Sequence, residues 1–134
     1  MAPPRPDLPA DQLAHASAPL HAGVAFSLVV HPDGGRVRID LQGELDLFAT
    51  RPVRQRVAEC VGAGFGEVVL DLRGLSFIDS TGMRLLLGFN LQARRDGWTL
   101  WLIRGPESVQ RVFEIAGTSK VLPFTADAGP AQTG

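Results

Sequence analysis

Glu44 and Asp46 stand two residues apart, so an extended backbone puts both carboxylates on one face, as in a general acid–base pair. Asp79 is followed by two hydroxyl residues, Ser80 and Thr81, and then by Gly82. Hydroxyls at the start of a helix serve as caps, and the free N–H groups and positive dipole there also tolerate a phosphate. Gly62, Gly64 and Gly66 resemble a fragment of a phosphate-cradling loop, but they follow a helical pattern and precede a strand. A dinucleotide fingerprint needs the reverse order, so these glycines read as the end of a helix. His15, His21 and His31 pair with no cysteine or carboxylate at ligand spacing, which predicts no metal site and no cofactor. The carboxylates would also need a cleft to shift their pKa, and a small domain offers little room for one. The chain is expected not to be an enzyme.

These groups must be held by elements that the pattern makes visible. Phe26 to Val30 is a short apolar run closed by the turn chemistry of His31-Pro32-Asp33-Gly34-Gly35. Arg36 to Leu41 alternates, with Val37, Ile39 and Leu41 on one face, so the two runs predict a hairpin. Thr50 is placed to cap a helix with Pro52 in its first turn, and Val53, Val57, Cys60 and Val61 share a face. Val68 to Leu72 reads as a central strand, followed by a loop that returns through Phe77 and Ile78. A second helix is expected from Ser80 to Arg95, a fourth strand from Trp98 to Ile103, a third helix from Pro106 to Ala116 and a last strand from Val121 to Phe124. The second helix is apolar over roughly two-thirds of its circumference, which leaves surface for a neighbouring helix or a partner. The pattern predicts an α/β fold: a mixed sheet of about five strands, an N-terminal hairpin and then alternating helix and strand, with helices packed against it.

Composition bounds the rest. The chain has 134 residues, 45% hydrophobic and 20% charged, enough for one core and one domain. Residues 1–23 are rich in alanine and proline without period and predict a disordered arm; 24–125 make the folded unit, and 126–134 a flexible tail. The formal net charge of −1 gives no global field for nucleic acid, and no apolar stretch is long enough to span a membrane. A lone cysteine, Cys60, and the lack of a secretion signal point to the cytoplasm.

Three motifs in order carry a family likeness: Gly43-Glu44-Leu45-Asp46 with Thr50 after it; the strand Val68 to Leu72, a spacer, and Ile78-Asp79-Ser80-Thr81-Gly82; and Val112-Phe113-Glu114-Ile115-Ala116-Gly117. With them the sequence resembles the STAS domain family, and within it the stand-alone bacterial anti-sigma factor antagonists. The resemblance implies a STAS-like fold and a switch with no catalytic residues of its own. Ser80 would be phosphorylated by an anti-sigma factor that is itself an ATP-binding serine kinase. The unphosphorylated form would bind that kinase and release a sigma factor, and a serine phosphatase would reset it. Asp46, Asp79, Ser80, Thr81, Gly82 and Met83 would form the partner-binding region. The chain departs from the family after the last strand, where Thr125 to Pro130 is a poor start for the usual final helix. The alternatives are a STAS scaffold or subunit in a stress-signalling assembly or lipid transporter, or a small hydrolase using Glu44, Asp46 and Asp79.

Overall fold

A computed structural model of the chain describes residues 26–125, so the expected arm (1–23) and tail (126–134) lie outside the described residues. Strands β1 (Ser27–Asp33) and β2 (Arg36–Leu45) form the expected hairpin, in register from Ser27↔Gln42 to Asp33↔Arg36. The strand runs on through His31, Pro32 and Asp33, which were expected to turn. Pro32 is accommodated because β1 is an edge strand, where a missing N–H need not break a ladder. Helix α1 (Leu47–Gly62), strand β3 (Glu67–Ile78), helix α2 (Ser80–Asp96), strand β4 (Thr99–Ile103), helix α3 (Glu107–Ala116) and strand β5 (Phe124–Thr125) follow in alternation. The sheet order is β1-β2-β3-β4-β5, with every pair after the hairpin parallel.

Alternation decides which side of the sheet is buried. Val37, Ile39 and Leu41 of β2, Val68, Leu70 and Leu72 of β3, and Leu100 and Leu102 of β4 face one way. They form one core with Val53 and Val57 of α1, Leu86 and Phe89 of α2, and Val109 and Phe113 of α3. All three helices therefore cover the same face. Among the described residues the strand order never reverses, so this sheet has no topological switch point, where a crevice would open between helices.

On the other face, Val69 and Ile103 pack with Trp101 beneath a lattice of paired charges. Arg36 donates to Glu67 at 3.1 Å, Trp101 Nε1 to Glu67 at 2.6 Å, and Arg38 to Asp40 at 2.8 Å. Asp71 is buried there, and it accepts from Arg73 Nη2 at 2.7 Å and from the Arg73 backbone N–H at 3.0 Å. Burial alone pushes the Asp71 carboxyl up, but the hydrogen bonds and charge of Arg73, with Arg38 nearby, outweigh it and hold it below the usual carboxylate range.

Several boundaries differ from expectation for local reasons. β3 does not end at Leu72 but continues to Ile78, because it carries two bulges opposite β2, between Asp40/Gln42 and Gly43/Glu44. Each inserts one residue, which is why 12 residues of β3 run beside 10 of β2. Bulges break the period of two, so Arg73 to Phe77 looks like a loop in sequence. Gly74 sits at the first: a Cβ there would lie 2.9 Å from the Leu41 carbonyl oxygen. Pro52 lies beyond the first turn of α1. β5 is shorter and later than expected, since Val121 and Leu122 turn back onto the Thr118 carbonyl. The spare apolar surface of α2 is small, for Met83, Leu85, Leu86, Phe89 and Ala93 are buried and Leu91 is exposed.

The depressed Asp71 carboxyl gives a signed expectation. Its contribution to stability is complete above the unfolded value of about 3.9 and is lost as pH falls through the lower folded value. Asp71→Asn should therefore cost about 1–3 kcal/mol at neutral pH. Urea melts across pH should show that difference shrinking as the solution is taken well below pH 4.

Candidate functional site

The ends of the two central strands come level. Leu45 pairs with Ile78, so the residues that follow, Asp46 and Asp79, occupy equivalent positions at neighbouring strand ends. The Asp79 N–H also reaches the Leu45 carbonyl at 3.4 Å. Each aspartate has extended backbone and turns its carboxylate onto the helix that follows it. Asp46 Oδ1 accepts from the N–H groups of Phe48 at 3.0 Å and Ala49 at 3.2 Å. Asp79 Oδ1 accepts from the Gly82 N–H at 3.0 Å and from the Thr81 hydroxyl at 2.6 Å.

Two expectations are corrected by this arrangement. Thr50 does not cap the first helix; it lies inside α1, where its hydroxyl donates to the Leu47 carbonyl at 2.8 Å. Asp46 takes the role because a carboxylate at the strand end reaches two orphan N–H groups at once. Nor does Ser80 or Thr81 cap α2, since Asp79 does. Thr81 is tied to that cap, whereas Ser80 is exposed and its hydroxyl makes no hydrogen bond among the described residues. The Asp46 carboxylate, expected on one face with Glu44, is engaged at the head of α1.

Gly82 lies against the end of β2. A Cβ there would collide with the Leu45 carbonyl oxygen and come within 2.9 Å of Leu45 Cγ and 3.1 Å of Ile78 Cγ1. The first turn of α2 can approach the strand only because that atom is missing. Met83 is buried, and its sulfur accepts from the Thr118 hydroxyl at 3.5 Å, which joins the segment after α3 to the first turn of α2. Of the six residues expected at the partner surface, Ser80 is exposed, Asp79 and Thr81 are half-buried, and Asp46, Gly82 and Met83 are buried. The buried three shape the ground on which Ser80 stands. Among the described residues no group of three or more His, Cys, Asp or Glu is gathered to hold a metal.

The family described as "Mlab, STAS domain" matches residues 29–123. The chain belongs to the STAS domain family. This STAS domain is 30% identical over 97 residues to an anti-sigma F factor antagonist of Lysinibacillus sphaericus, covering 72% of this chain and 80% of the relative. It is 23% identical over 90 residues to an anti-sigma-B factor antagonist of Bacillus subtilis, covering 67% and 82%. The anti-sigma factor antagonist SpoIIAA in its unphosphorylated form superposes with a TM-score of 0.62 at 26% identity, covering 77% of this chain and 90% of that one. The phosphorylated form of SpoIIAA from Bacillus superposes at 0.60, with 23% identity and coverage of 81% and 98%. The mixed five-stranded sheet and its three helices are those of solved anti-sigma factor antagonists.

Sequence reasoning missed one feature of this STAS domain. Leu47, Phe48 and Phe77 are exposed at the same end of the sheet as Ser80. The signal was present. In α1 the buried stripe is Ala49, Val53, Val57 and Cys60, so at about 100° per residue Leu47 and Phe48 fall off it. In β3, Ile78 faces the core, so Phe77 must face away from it.

The caps and the close approach give two tests. Asp46→Ala should cost about 1 kcal/mol of stability, and Asp46→Asn, which still caps, should cost a few tenths, as read by urea denaturation. Gly82→Ala should cost about 1–3 kcal/mol through overpacking against Leu45. An unchanged melting midpoint for Gly82→Ala would mean that α2 stands further from β2 than 2.9 Å from Leu45 Cγ implies.

Proposed function

We propose that this STAS domain is an anti-sigma factor antagonist switched by phosphorylation of Ser80. Unphosphorylated, it binds an anti-sigma factor with ATP-binding serine kinase activity and so frees a sigma factor. Phosphorylation of Ser80 by that kinase ends the interaction, and a serine phosphatase restores it. The cytoplasm is the compartment in which such partners meet. Among the described residues no helix is long and apolar enough to cross a membrane.

One observation carries the reading: the Ser80 hydroxyl is exposed and uncommitted at the head of α2, while its neighbours Asp79 and Thr81 are bound to each other. The relatives support it, being anti-sigma factor antagonists, one of them solved with and without phosphate. A phosphate at Ser80 would add about −1.5 to −2 charge at neutral pH beside the Asp79 and Asp46 carboxylates. The positive end of the α2 dipole offsets part of that repulsion, so the fold tolerates it. A docked partner has no such compensation and would have to desolvate the new charge. Asp46, level with Asp79 at the neighbouring strand end, belongs to the surface that meets the kinase and its nucleotide.

Because Asp79 is the cap, Ser80→Ala should change stability by no more than about 0.5 kcal/mol. It should bind the kinase as wild type does and accept no phosphate. Ser80→Asp should fold and bind poorly. Phosphopeptide mapping after incubation with kinase and ATP decides between the hydroxyls: label on Thr81, or label retained in Ser80→Ala, overturns the assignment.

A further inference from the structure

Seven large apolar side chains are exposed among the described residues, and three of them, Leu47, Phe48 and Phe77, lie at the strand ends that carry Asp46 and Asp79. Leu47 directly follows the cap of α1, and Phe77 lies three residues before Ser80 on the sheet face opposite the helices. Phe77 pairs with Glu44, one step before the Leu45↔Ile78 pair, and Leu47 opens α1 one residue after Asp46, so both apolar groups lie beside the row of caps. Leu47 is 61% exposed and Phe77 45%, although each sits next to a buried residue, Asp46 and Ile78, in a regular part of the chain. The fold gains nothing from leaving them in water.

We propose that Phe77 and Leu47 are the apolar anchors on which the anti-sigma factor kinase seats itself while it reaches Ser80; this rests on the function proposed above. The occupant follows from position. A kinase must bring its nucleotide to the Ser80 oxygen, and a standard interface covers about 800 Å² on each partner, a patch of about 16 Å radius. Phe77 is three residues before Ser80 in the chain, and Leu47 follows Asp46, which stands level with Asp79, the residue before Ser80. An interface of that size centred on Ser80 reaches both. Exposed aromatic and aliphatic groups beside a polar target are the usual hot spots of an interface, and they require an apolar depression on the partner. The same arrangement explains how one phosphate could break the complex, since it would enter an interface whose centre is dry.

Calorimetry with the purified kinase of the phosphorylation assay tests this. Phe77→Ala and Leu47→Ser should each weaken binding by about tenfold or more while leaving the melting temperature unchanged. Val29→Ser is the control: Val29 is 47% exposed and pairs with Asp40 far down the sheet. It lies about 20 Å from Ser80 on strand geometry, and its loss should leave affinity unchanged. Wild-type affinity should also fall less than about threefold between 0.05 and 0.5 M salt, as an apolar contact requires. The proposal is overturned if Phe77→Ala binds within about twofold of wild type, if Val29→Ser weakens binding equally, or if affinity falls more than about tenfold with salt. Should wild type neither bind the kinase nor take phosphate from it, the proposed function itself falls; binding and phosphorylation with indifferent variants remove the anchors alone.

Discussion

The parallel pairing of β2 with β3 sets the geometry of everything around Ser80. Two bulges give β3 two more residues than β2 over the paired length, and Leu45 comes level with Ile78 as a result. That register puts Asp46 and Asp79 side by side and starts two helices from one edge. It also brings the first turn of α2 so close to Leu45 that only glycine fits at position 82. Had β3 run without bulges, its last residue would sit two positions further along and Asp79 would have no Leu45 carbonyl to meet.

Both aspartates solve the same physical problem. A helix that starts directly from a strand leaves orphan N–H groups at its head, and a short carboxylate just before it is the nearest acceptor. At α2 this choice has a chemical consequence. With Asp79 holding the Gly82 N–H and the Thr81 hydroxyl, the remaining hydroxyl, on Ser80, is left to face solvent. A serine that capped its own helix would have to give up that bond to react.

Among the described residues the sheet is one-sided. Three helices share one core on one face, and the opposite face meets its surroundings with ion pairs: Arg36–Glu67, Arg38–Asp40 and Arg73–Asp71. Parallel sheets are usually covered on both faces. Here the exposed side of β2 reads Arg36, Arg38, Asp40, a polar row that suits water, and the few apolar groups opposite it shelter beneath those side chains and Trp101.

The sequence alone determined the element types, their order and the inward face, because periods of two and of 3.6 are written directly in Val37-Ile39-Leu41 and in Val53-Val57-Cys60. It also singled out Ser80, through the motif Ile78-Asp79-Ser80-Thr81-Gly82 and its family likeness. The length of β3 was hidden because each bulge resets the alternation, so Arg73 to Phe77 shows no period. The caps were misread for a different reason. Asp, Ser and Thr are all good N-caps, and which of them acts depends on where the strand stops and the helix begins. Only the pairing of β2 with β3 fixes that point. The exposure of Phe77 and Leu47, too, was decided by tertiary structure: hydrophobicity says that a side chain gains from burial, but only the packed neighbours decide whether it is buried.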